Sequence, residues 1–519
     1  MRGTQRTGLL GAMTYPVLPA AAAAAALIAL GLAAPAGAAS VAPGPCPTPE
    51  TPIPALAGAR CGFLTVPENR TRLDGRTIRL QVAVIPARSR TPAPDPVVYL
   101  TGGPGGSAIS AVQNVVNAGA NRDRDLIVLE QRGTLYSEPS LTCPVIDRWN
   151  SRVVGLPYDA RSTGRKQTAA TRACRASVVA KGADPGSYNT TESTADFADL
   201  RVALGIPEWN VIGASYGTDL ALSYMRDHPE GIRSVTIDSA IAPDQAGTSL
   251  AWTSAGVGMR QMFRACRAQP SCRRAYPRPD RVFTRLVRRL EATPITAFVK
   301  PALIPGDKPD PGARRTKVVL DGGAFANYVI NITGAGFGSK VPKLLYDFAH
   351  GRRKPVLASQ AATGALHAGE LSYGLQYGVI CSEWIPFETK RDVLRRGRQA
   401  FPGFPRSVRA QPPQFPFRFM DCPVWDVPKA PDSQRAVPRS AIPTLVLAGS
   451  YDTLTSEANS RHAASNLPSS RLVVFPGEGH VVLNTSKCAG RVFVSFLDAP
   501  GSPDMRCTAN LKPPPFEIG

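Results

Sequence analysis

Short runs of branched apolar residues recur along the sequence, and they restrict the fold more than any other feature. Runs of this length and composition are typical of buried strands. The predicted strands are IRLQVAVIPA (78–87), PVVYL (96–100), DLIVLEQ (125–131), NVIG (210–213), SVTIDS (234–239), TLVLAG (444–449) and RLVVF (471–475). Amphipathic segments such as TADFADLRVALG (194–205) predict helices between several of them. Strands that alternate with helices predict an α/β fold with a mostly parallel sheet covered by helices on both faces.

The alternation of strands and helices stops after residue 239. From there the sequence is arginine-rich and rich in loops, with its clearest helices over 259–277 and 280–294. We interpret the Pro-rich stretch 401–440 as a connector back to the sheet. The sequence therefore predicts an α/β domain made of two segments with an inserted, mainly helical cap: 40–239 for the first segment, 240–440 for the cap and 441–519 for the second segment.

The first 39 residues (1–39) have the order of a secretory signal peptide. Arg2 and Arg6 precede an alanine-rich apolar run, and the small residues AGAA close it at 36–39. A membrane anchor is the alternative, but the run from Ala20 to Leu32 is short for a span of about 20 residues. We therefore expect a secreted or extracytoplasmic protein that begins near residue 40 and keeps no membrane span.

The ten cysteines form an even set in a chain that is predicted to leave the cytosol, which favours disulfides over free thiols. None occurs in a CxxC pair and the five histidines do not cluster near them, so we expect no metal site and no cofactor. Connectivity cannot be deduced from sequence alone. The simplest pairing joins sequential neighbours: 46–61, 143–174, 266–272, 381–422 and 488–507.

The chain carries a formal net charge of +21, and removal of Arg2 and Arg6 with the predicted signal leaves +19. A field of this sign can attract anionic surfaces such as the polymers of a cell envelope. The basic residues are dispersed and accompany no nucleic-acid-binding module, so we expect no nucleic-acid partner. A solvated basic surface is the simpler interpretation, with envelope association as the alternative.

The stretch GASYG (213–217) places a serine between a predicted strand and a predicted helix. Glycines on both sides permit a tight turn that strains the backbone of Ser215 and projects its Oγ from the edge of the sheet. A pentapeptide of this kind also arises by chance, and the serine could be an ordinary turn residue. The strand–turn–helix context favours a nucleophile, which then needs a base and an orienting carboxylate.

The partners of such a serine are expected in the order acid, then histidine, each after a late strand. Asp452 follows LVLAGSY and His480 follows RLVVFPGEG, so order and position both fit. Each has a plainer alternative, since Asp452 could cap the following helix and His480 could be a loop histidine bound to backbone. For the remaining histidines we expect structural roles: 228, 350, 367 and 462.

A site for acyl transfer also needs two backbone N–H donors for the oxyanion. The first is expected from Tyr216, the residue after the serine. The loop TGGPGG (101–106) follows a predicted strand and lets the backbone approach a ligand, so we assign the second donor to Gly103. A phosphate loop is disfavoured because no lysine followed by Ser or Thr accompanies these glycines.

Together these stretches resemble the secreted tripeptidyl-aminopeptidase-like and proline-iminopeptidase-like serine hydrolases of the α/β-hydrolase fold. The resemblance covers both segments of the catalytic domain and little of the cap, and Cys488 and Cys507 resemble that family's C-terminal portion. It implies a triad of Ser215, Asp452 and His480. The matching stretches are 101–106, EQRGTLYSEPSLTC (130–143), 188–218 with the serine motif, GSYDTLT (449–455) and GEGH (477–480).

The resemblance also implies a residue that binds the substrate. In such aminopeptidases an acidic residue near the cap binds the free α-ammonium group, and Glu383 in GVICSEWIP falls at that place. A carboxylate that faces an ammonium in a sheltered pocket makes cleavage N-terminal, although Glu383 could equally be a surface residue beside Trp384. Two departures from the family pattern, Thr101 for a histidine and Glu130 for an aspartate, leave the substrate open.

The sequence therefore predicts a serine hydrolase that removes short peptides or single residues from the N-termini of peptide substrates. An esterase or lipase acting on small esters is the alternative, because fold and triad specify acyl transfer and not the leaving group. A non-enzymatic binding protein of the cell envelope on a hydrolase scaffold is a further alternative, prompted by the positive charge. It is disfavoured because all three triad positions are filled.

Overall fold

The computed structural model describes residues 40–72, 74–302, 312–364 and 369–519. The predicted signal peptide and His367 lie outside the described residues. The described strands are β1 (Val41–Pro43), β2 (Arg60–Pro67), β3 (Thr77–Ile85), β4 (Val97–Leu100), β5 (Leu126–Leu129), β6 (Trp209–Ala214), β7 (Ile232–Asp238), β8 (Ile295–Val299), β9 (Thr316–Leu320), β10 (Thr444–Gly449) and β11 (Ser470–Phe475).

Helices occupy most of the chain between these strands. They are α1 (Ala108–Asn117), α2 (Pro144–Val153), α3 (Arg161–Ala180), α4 (Thr190–Ala203), α5 (Tyr216–Asp227), α6 (Leu250–Ala268), α7 (Pro270–Ala275), α8 (Pro279–Ala292), α9 (Gly322–Ile332), α10 (Val341–Ala349), α11 (Lys354–Thr363), α12 (Tyr373–Val379), α13 (Lys390–Ala400), α14 (Arg406–Arg409), α15 (Arg418–Trp425), α16 (Glu457–Ser465) and α17 (Lys487–Asp498).

One nine-stranded sheet forms the centre of the described chain, in the order β1-β2-β3-β5-β4-β6-β7-β10-β11. Strand pairs from β5 through β4, β6, β7 and β10 to β11 are parallel. Those among β1, β2, β3 and β5 are antiparallel. All seven strands predicted from the sequence lie in this sheet, which confirms a mostly parallel α/β architecture.

The central strands are buried on both faces, which explains why they read as continuous apolar runs. Along β4, Val97 and Tyr99 pack into one apolar cluster with α1 and α17, while Val98 and Leu100 pack into another with α4 and α5. This alternation follows from the two-residue period of a strand. Helices on both faces therefore hold the sheet, as predicted.

Residues between β7 and β10 add no described strand to the nine-stranded sheet. They form helices α6 to α15 and a separate antiparallel pair, β8 and β9. Their apolar cluster is built around large side chains such as Trp252, Phe283 and Phe325. The predicted helices at 259–277 and 280–294 are present, the first broken at Pro270 into α6 and α7. The boundaries at residues 240 and 440 stay a prediction.

The Pro-rich stretch 401–440 is more than a connector, so that interpretation was wrong. It contains α15, where Trp425 is fully buried and stacks on Tyr377 with ring centroids 5.0 Å apart. The amide of Gln167 on α3 also donates to the Asp421 carboxylate at 2.6 Å. A helix from the first segment is thus joined to the helices beyond β7 by a buried polar contact.

Five disulfides join sequential cysteines, and these confirm the simplest pairing: Cys46–Cys61, Cys143–Cys174, Cys266–Cys272, Cys381–Cys422 and Cys488–Cys507. Two of them lie in the helical cluster that contains α3, α12 and α15. Among the helices in the described residues, none combines the length and the apolar character that a bilayer span requires.

Candidate active site

Ser215 lies in the turn between β6 and α5, with φ 57° and ψ −128°. This left-handed conformation is rare for a residue with a side chain, and it marks a strained turn. The flanking glycines make the turn possible, because a Cβ on Gly213 would lie 2.3 Å from the Gly217 oxygen and one on Gly217 would lie 2.0 Å from the Leu100 oxygen. The motif therefore has the geometry of an exposed nucleophile on a tight strand-to-helix turn.

The structure brings Asp452 and His480 together at the same edge of the sheet. Asp452 follows the end of β10 and His480 follows the end of β11, and His480 Nδ1 lies 2.9 Å from Asp452 Oδ2. The carboxylate also accepts the N–H groups of Leu454 at 2.8 Å and Thr455 at 2.9 Å, and the Thr455 hydroxyl at 3.0 Å. These donors fix the carboxylate where it can orient the imidazole.

Asp452 and His480 each stabilise the charged form of the other. Burial alone would raise the pKa of Asp452, but the charge and hydrogen bond of His480 and two backbone N–H groups hold it below its usual range. Burial likewise opposes the charged imidazolium, yet Asp452 and, more weakly, Asp238 raise the pKa of His480. The His480 side chain keeps 15% of its surface exposed, whereas that of Asp452 is fully buried. The imidazole is thus the accessible member of the pair.

Asp238 and Ser239, at the end of β7, tie the serine turn to the histidine loop. The Asp238 carbonyl accepts the Ser215 N–H at 3.0 Å, and its carboxylate accepts the Val482 N–H at 3.1 Å and the Leu483 N–H at 2.9 Å. The Ser239 hydroxyl accepts the N–H of the residue after His480 at 2.8 Å. Burial raises the pKa of Asp238 to about 6. Asp238 was not among the predicted site residues, although an acid at the end of a buried strand was a signal.

The glycine loop (101–106) lies against the serine turn. A Cβ on Gly102 would meet Ser215 Cβ at 2.7 Å and the Tyr216 nitrogen at 3.2 Å. Gly103 has φ +124°, a conformation that favours glycine. In the described part of the chain, its N–H donates to no protein acceptor. The loop thus stands where an oxyanion donor is required, and the assignment of the donors to Gly103 and Tyr216 stays a prediction.

Glu130, which stands where the family pattern has an aspartate, binds the residues that follow this loop. It is fully buried at the start of α1, where it accepts the Ser107 hydroxyl at 2.6 Å and the Ile109 N–H at 2.8 Å. Burial raises the pKa of Glu130. Thr101, the second departure, is also buried, and its carbonyl accepts the Gln131 amide at 3.0 Å. Both residues hold the loop in place.

Glu383 is buried rather than at the surface. Its carboxylate accepts the Thr190 N–H at 2.8 Å and the Thr190 hydroxyl at 2.5 Å. The same hydroxyl is hydrogen-bonded to the Tyr216 hydroxyl, 2.8 Å away. Burial raises the pKa of Glu383 to about 7, and Asp219 lines the same small cavity. Glu383 is therefore linked to the ring of the residue that follows the serine.

Two family models match separate parts of the chain. A model described as alpha/beta hydrolase fold matches residues 95–268, which contain Ser215. A model described as TAP-like protein matches residues 413–508, which contain Asp452 and His480. The first match includes strands β4 to β7, and the second includes β10 and β11. The matches therefore cover strands of the nine-stranded sheet both before and after the helices α6 to α15.

Curated relatives are similar over different lengths. A tripeptidyl aminopeptidase of Streptomyces lividans is 28% identical over 194 residues, which cover 36% of each chain. Serine protease Hip1 of Mycobacterium tuberculosis is 28% identical over 197 residues, 36% of this chain and 37% of that protein. A putative hydrolase of Escherichia coli, YuaR, is 23% identical over 476 residues, 86% and 87% of the two chains. The first two matches span little more than a third of those relatives.

Proposed function

Because the chain belongs to the α/β-hydrolases with a TAP-like C-terminal portion, we propose that it is a serine aminopeptidase. It removes short peptides or single residues from the N-termini of peptide substrates. The observation that carries this proposal is the hydrogen-bonded pair of His480 and Asp452, together with a serine held in a strained turn that the end of β7 joins to the histidine loop. The names of the similar aminopeptidase and protease support a peptide rather than an ester as the substrate.

In the proposed reaction, Ser215 Oγ attacks the carbonyl carbon of the scissile bond while His480 takes its proton. Asp452 holds the imidazole by its Nδ1 and stabilises the imidazolium that forms. The N–H groups of Tyr216 and Gly103 donate to the oxyanion of the tetrahedral intermediate. His480 then gives the proton to the leaving amine as the scissile bond breaks, which leaves the acyl group on Ser215. Water attacks this acyl-enzyme while His480 takes its proton, and His480 returns the proton to Ser215 Oγ as the acyl group leaves.

Selection of a free amino terminus falls to Glu383 in this proposal. Its buried carboxylate lies beside another buried acid, Asp219, and in the described residues it makes no ion pair within 4 Å. An ammonium group supplied by the substrate would compensate that charge, since buried charges are stable only when paired. Binding through the amino terminus would set how far the scissile bond lies from the end of the chain.

The proposal includes export from the cytosol. Five disulfides support an oxidising compartment, and the charged, apolar and small-residue order of the first 39 residues supports a signal peptide. The formal net charge of +19 that remains after removal of Arg2 and Arg6 supports association with an anionic cell envelope. Cell fractionation with N-terminal sequencing of the mature protein tests both points.

A fluorophosphonate probe tests the nucleophile directly. We expect labelling of Ser215 in the wild-type chain, loss of labelling in Ser215→Ala, and full labelling in Ser465→Ala, a control on the exposed face of α16. Hydrolysis of tripeptidyl and aminoacyl arylamides is then compared with that of short-chain aryl esters. Hydrolysis of the esters but not of the arylamides would indicate an esterase instead of a peptidase. Hydrolysis that is unchanged in Ser215→Ala would favour a binding protein.

A further inference from the structure

A wide groove opens on the surface formed by α6, α8 and the turn after α13. Its volume is about 760 Å³. Its wall carries one arginine from α6 and four from α8: Arg260, Arg281, Arg285, Arg288 and Arg289. We call this feature the arginine groove.

The arginine groove lies on the face of α6 that points away from the catalytic carboxylate. A Cβ on Gly258 would lie 2.5 Å from the Asp452 carbonyl oxygen. Two residues earlier in the helix, a Cβ on Gly256 would instead meet Ala400 at 2.8 Å and Arg260 Nη1 at 2.9 Å. Residues two apart point to opposite sides of a helix. The groove is thus a second concave surface and not part of the proposed catalytic site.

Within the part of the chain that the structure describes, the guanidinium groups of the arginine groove have no carboxylate partners. Across the ranges that the structure describes, none of the five is within 4 Å of an Asp or Glu oxygen, and Asp280, the acid in the lining, pairs instead with Arg267 at 3.6 Å. Burial and the charge of nearby Arg264 lower the pKa of Arg260. By contrast, Arg70 contacts three carboxylates. The groove therefore concentrates uncompensated positive charge.

The spacing of the charges fits an extended chain. Arg281 and Arg285 are four residues apart on one face of α8, and Arg285 and Arg288 are three residues apart. These separations correspond to rises of about 6 Å and about 4.5 Å along the helix. In an extended peptide, alternate side chains lie about 6.7 Å apart. Carboxylates at alternate positions would therefore face successive arginines, whose planar forks bind carboxylates through two hydrogen bonds.

The floor of the groove is apolar. Met259, Phe263 and Phe283 are almost fully buried beneath it, and Phe401 lies at its edge, stacked on Phe404 with centroids 4.6 Å apart. The partly exposed Phe401 and the exposed Pro402 add apolar contacts for the aliphatic parts of a peptide, which a chain of phosphates lacks. A concave wall also fits a single chain better than a flat membrane surface.

We propose that the arginine groove binds an acidic peptide segment in extended conformation, with carboxylates at alternate positions against α8. The segment belongs to a peptide or protein partner, and its binding does not require turnover at Ser215. The proposal therefore stands or falls separately from the peptidase activity.

Fluorescence anisotropy tests this proposal with the full chain carrying Ser215→Ala, which prevents turnover. The probe is an N-acetylated, labelled decapeptide of alternating glutamate and alanine. We expect saturable binding that weakens as salt rises, and no binding of the matched glutamine peptide. The triple variant Arg281→Gln, Arg285→Gln, Arg288→Gln should weaken binding by about tenfold, which is about 1.4 kcal/mol in total, because each exposed ion pair contributes little in water.

The control removes the same charge elsewhere. Arg161, Arg165 and Arg172 are exposed on α3, and their change to Gln should weaken binding by less than about twofold because salt screens distant charges. If both triple variants lost the same amount of peptide affinity, the effect would come from net charge alone, and the proposal would be overturned. If a labelled polyphosphate chain bound to the same arginines more tightly than the peptide, the ligand would be a phosphate polymer and the proposal would be overturned. Thermal unfolding of both variants verifies that each is folded.

Discussion

Two buried carboxylates of this protein, Asp452 and Glu383, are ionised to different degrees although both are shielded from water. Asp452 accepts hydrogen bonds from two backbone N–H groups, a threonine hydroxyl and His480. Glu383 accepts the N–H and the hydroxyl of Thr190 and lies near Asp219. The pKa of Asp452 is lowered, whereas that of Glu383 is raised to about 7.

The difference shows that burial alone does not set the charge of a carboxylate. Burial is the largest single influence at both residues, and by itself it would raise both pKa values. At Asp452, a partner that can carry positive charge outweighs the cost of burial. At Glu383, the neighbouring cation Arg226 acts only weakly. An acid whose pKa is lowered in this way is suited to orient a base, and a poorly compensated acid is suited to meet a cationic ligand.

The largest expected effect comes from removing the charge of Asp452. Asp452→Asn should lower kcat by about 10⁴, because the amide leaves the imidazole in the wrong tautomer and the imidazolium without its counter-charge. Steady-state kinetics on an arylamide substrate measures this loss. The control is Asp504→Asn, an exposed residue bonded to Arg506. A loss of less than tenfold would contradict the assignment of Asp452 as the orienting acid.

The next effect concerns stability and sharpens the contrast at Glu383. A carboxyl group whose pKa rises from 4.5 in the unfolded chain to about 7 in the folded chain binds more protons when folded between these values. The free energy of unfolding should therefore fall as pH rises from about 4.5 to 7, by up to about 3 kcal/mol. In Glu383→Gln this part of the pH dependence should disappear.

Denaturant titrations at several pH values measure that slope in the wild type and the variant. Glu457→Gln, a change on α16 at the site of an ion pair with Arg461, serves as the control and should keep the wild-type slope. An identical pH dependence in Glu383→Gln and the wild type would mean that Glu383 does not hold a proton in the folded state near neutral pH.

A smaller effect is expected on substrate binding. Glu383→Gln should raise KM for arylamides with a free amino terminus by roughly tenfold, the value of one charged hydrogen bond of about 1.4 kcal/mol. Turnover of a short aryl ester without an amino group should change much less. Comparison of kcat and KM for the two substrates tests this. Equal losses on both substrates would indicate that Glu383 acts by positioning Tyr216 through Thr190.

The smallest effect is a shift of a pH profile. Asp452 and Asp238 raise the pKa of His480, and a base must be deprotonated to act, so kcat/KM should rise with pH through a midpoint above 6.5. Asp238→Asn removes one negative charge and should move that midpoint to lower pH. A midpoint that stays in place would mean that His480 does not sense the charge of Asp238.

Much of the fold could be predicted from the sequence because its signals are local. Four of the seven predicted strands, β4, β5, β6 and β10, are buried along their whole length, so their sequences are short, mostly apolar runs. The strand β2 was missed because its sequence, RCGFLTVP, mixes Cys, Gly and Pro with its apolar residues, and it forms part of the antiparallel edge of the sheet. The helix α15 was missed because prolines surround it and lie within it.

The sequence by itself determined the positions of Ser215, Asp452 and His480 at strand ends, because strand pattern, turn glycines and chain order are properties of neighbouring residues. Only the tertiary structure decided that Asp238 and Ser239 join the serine turn to the histidine loop, that Glu383 is buried against Thr190, and that five arginines from two helices face one groove. Charge, burial and donor geometry at such places depend on residues far apart in the chain. They arise only when the helices beyond β7 pack together and against the sheet.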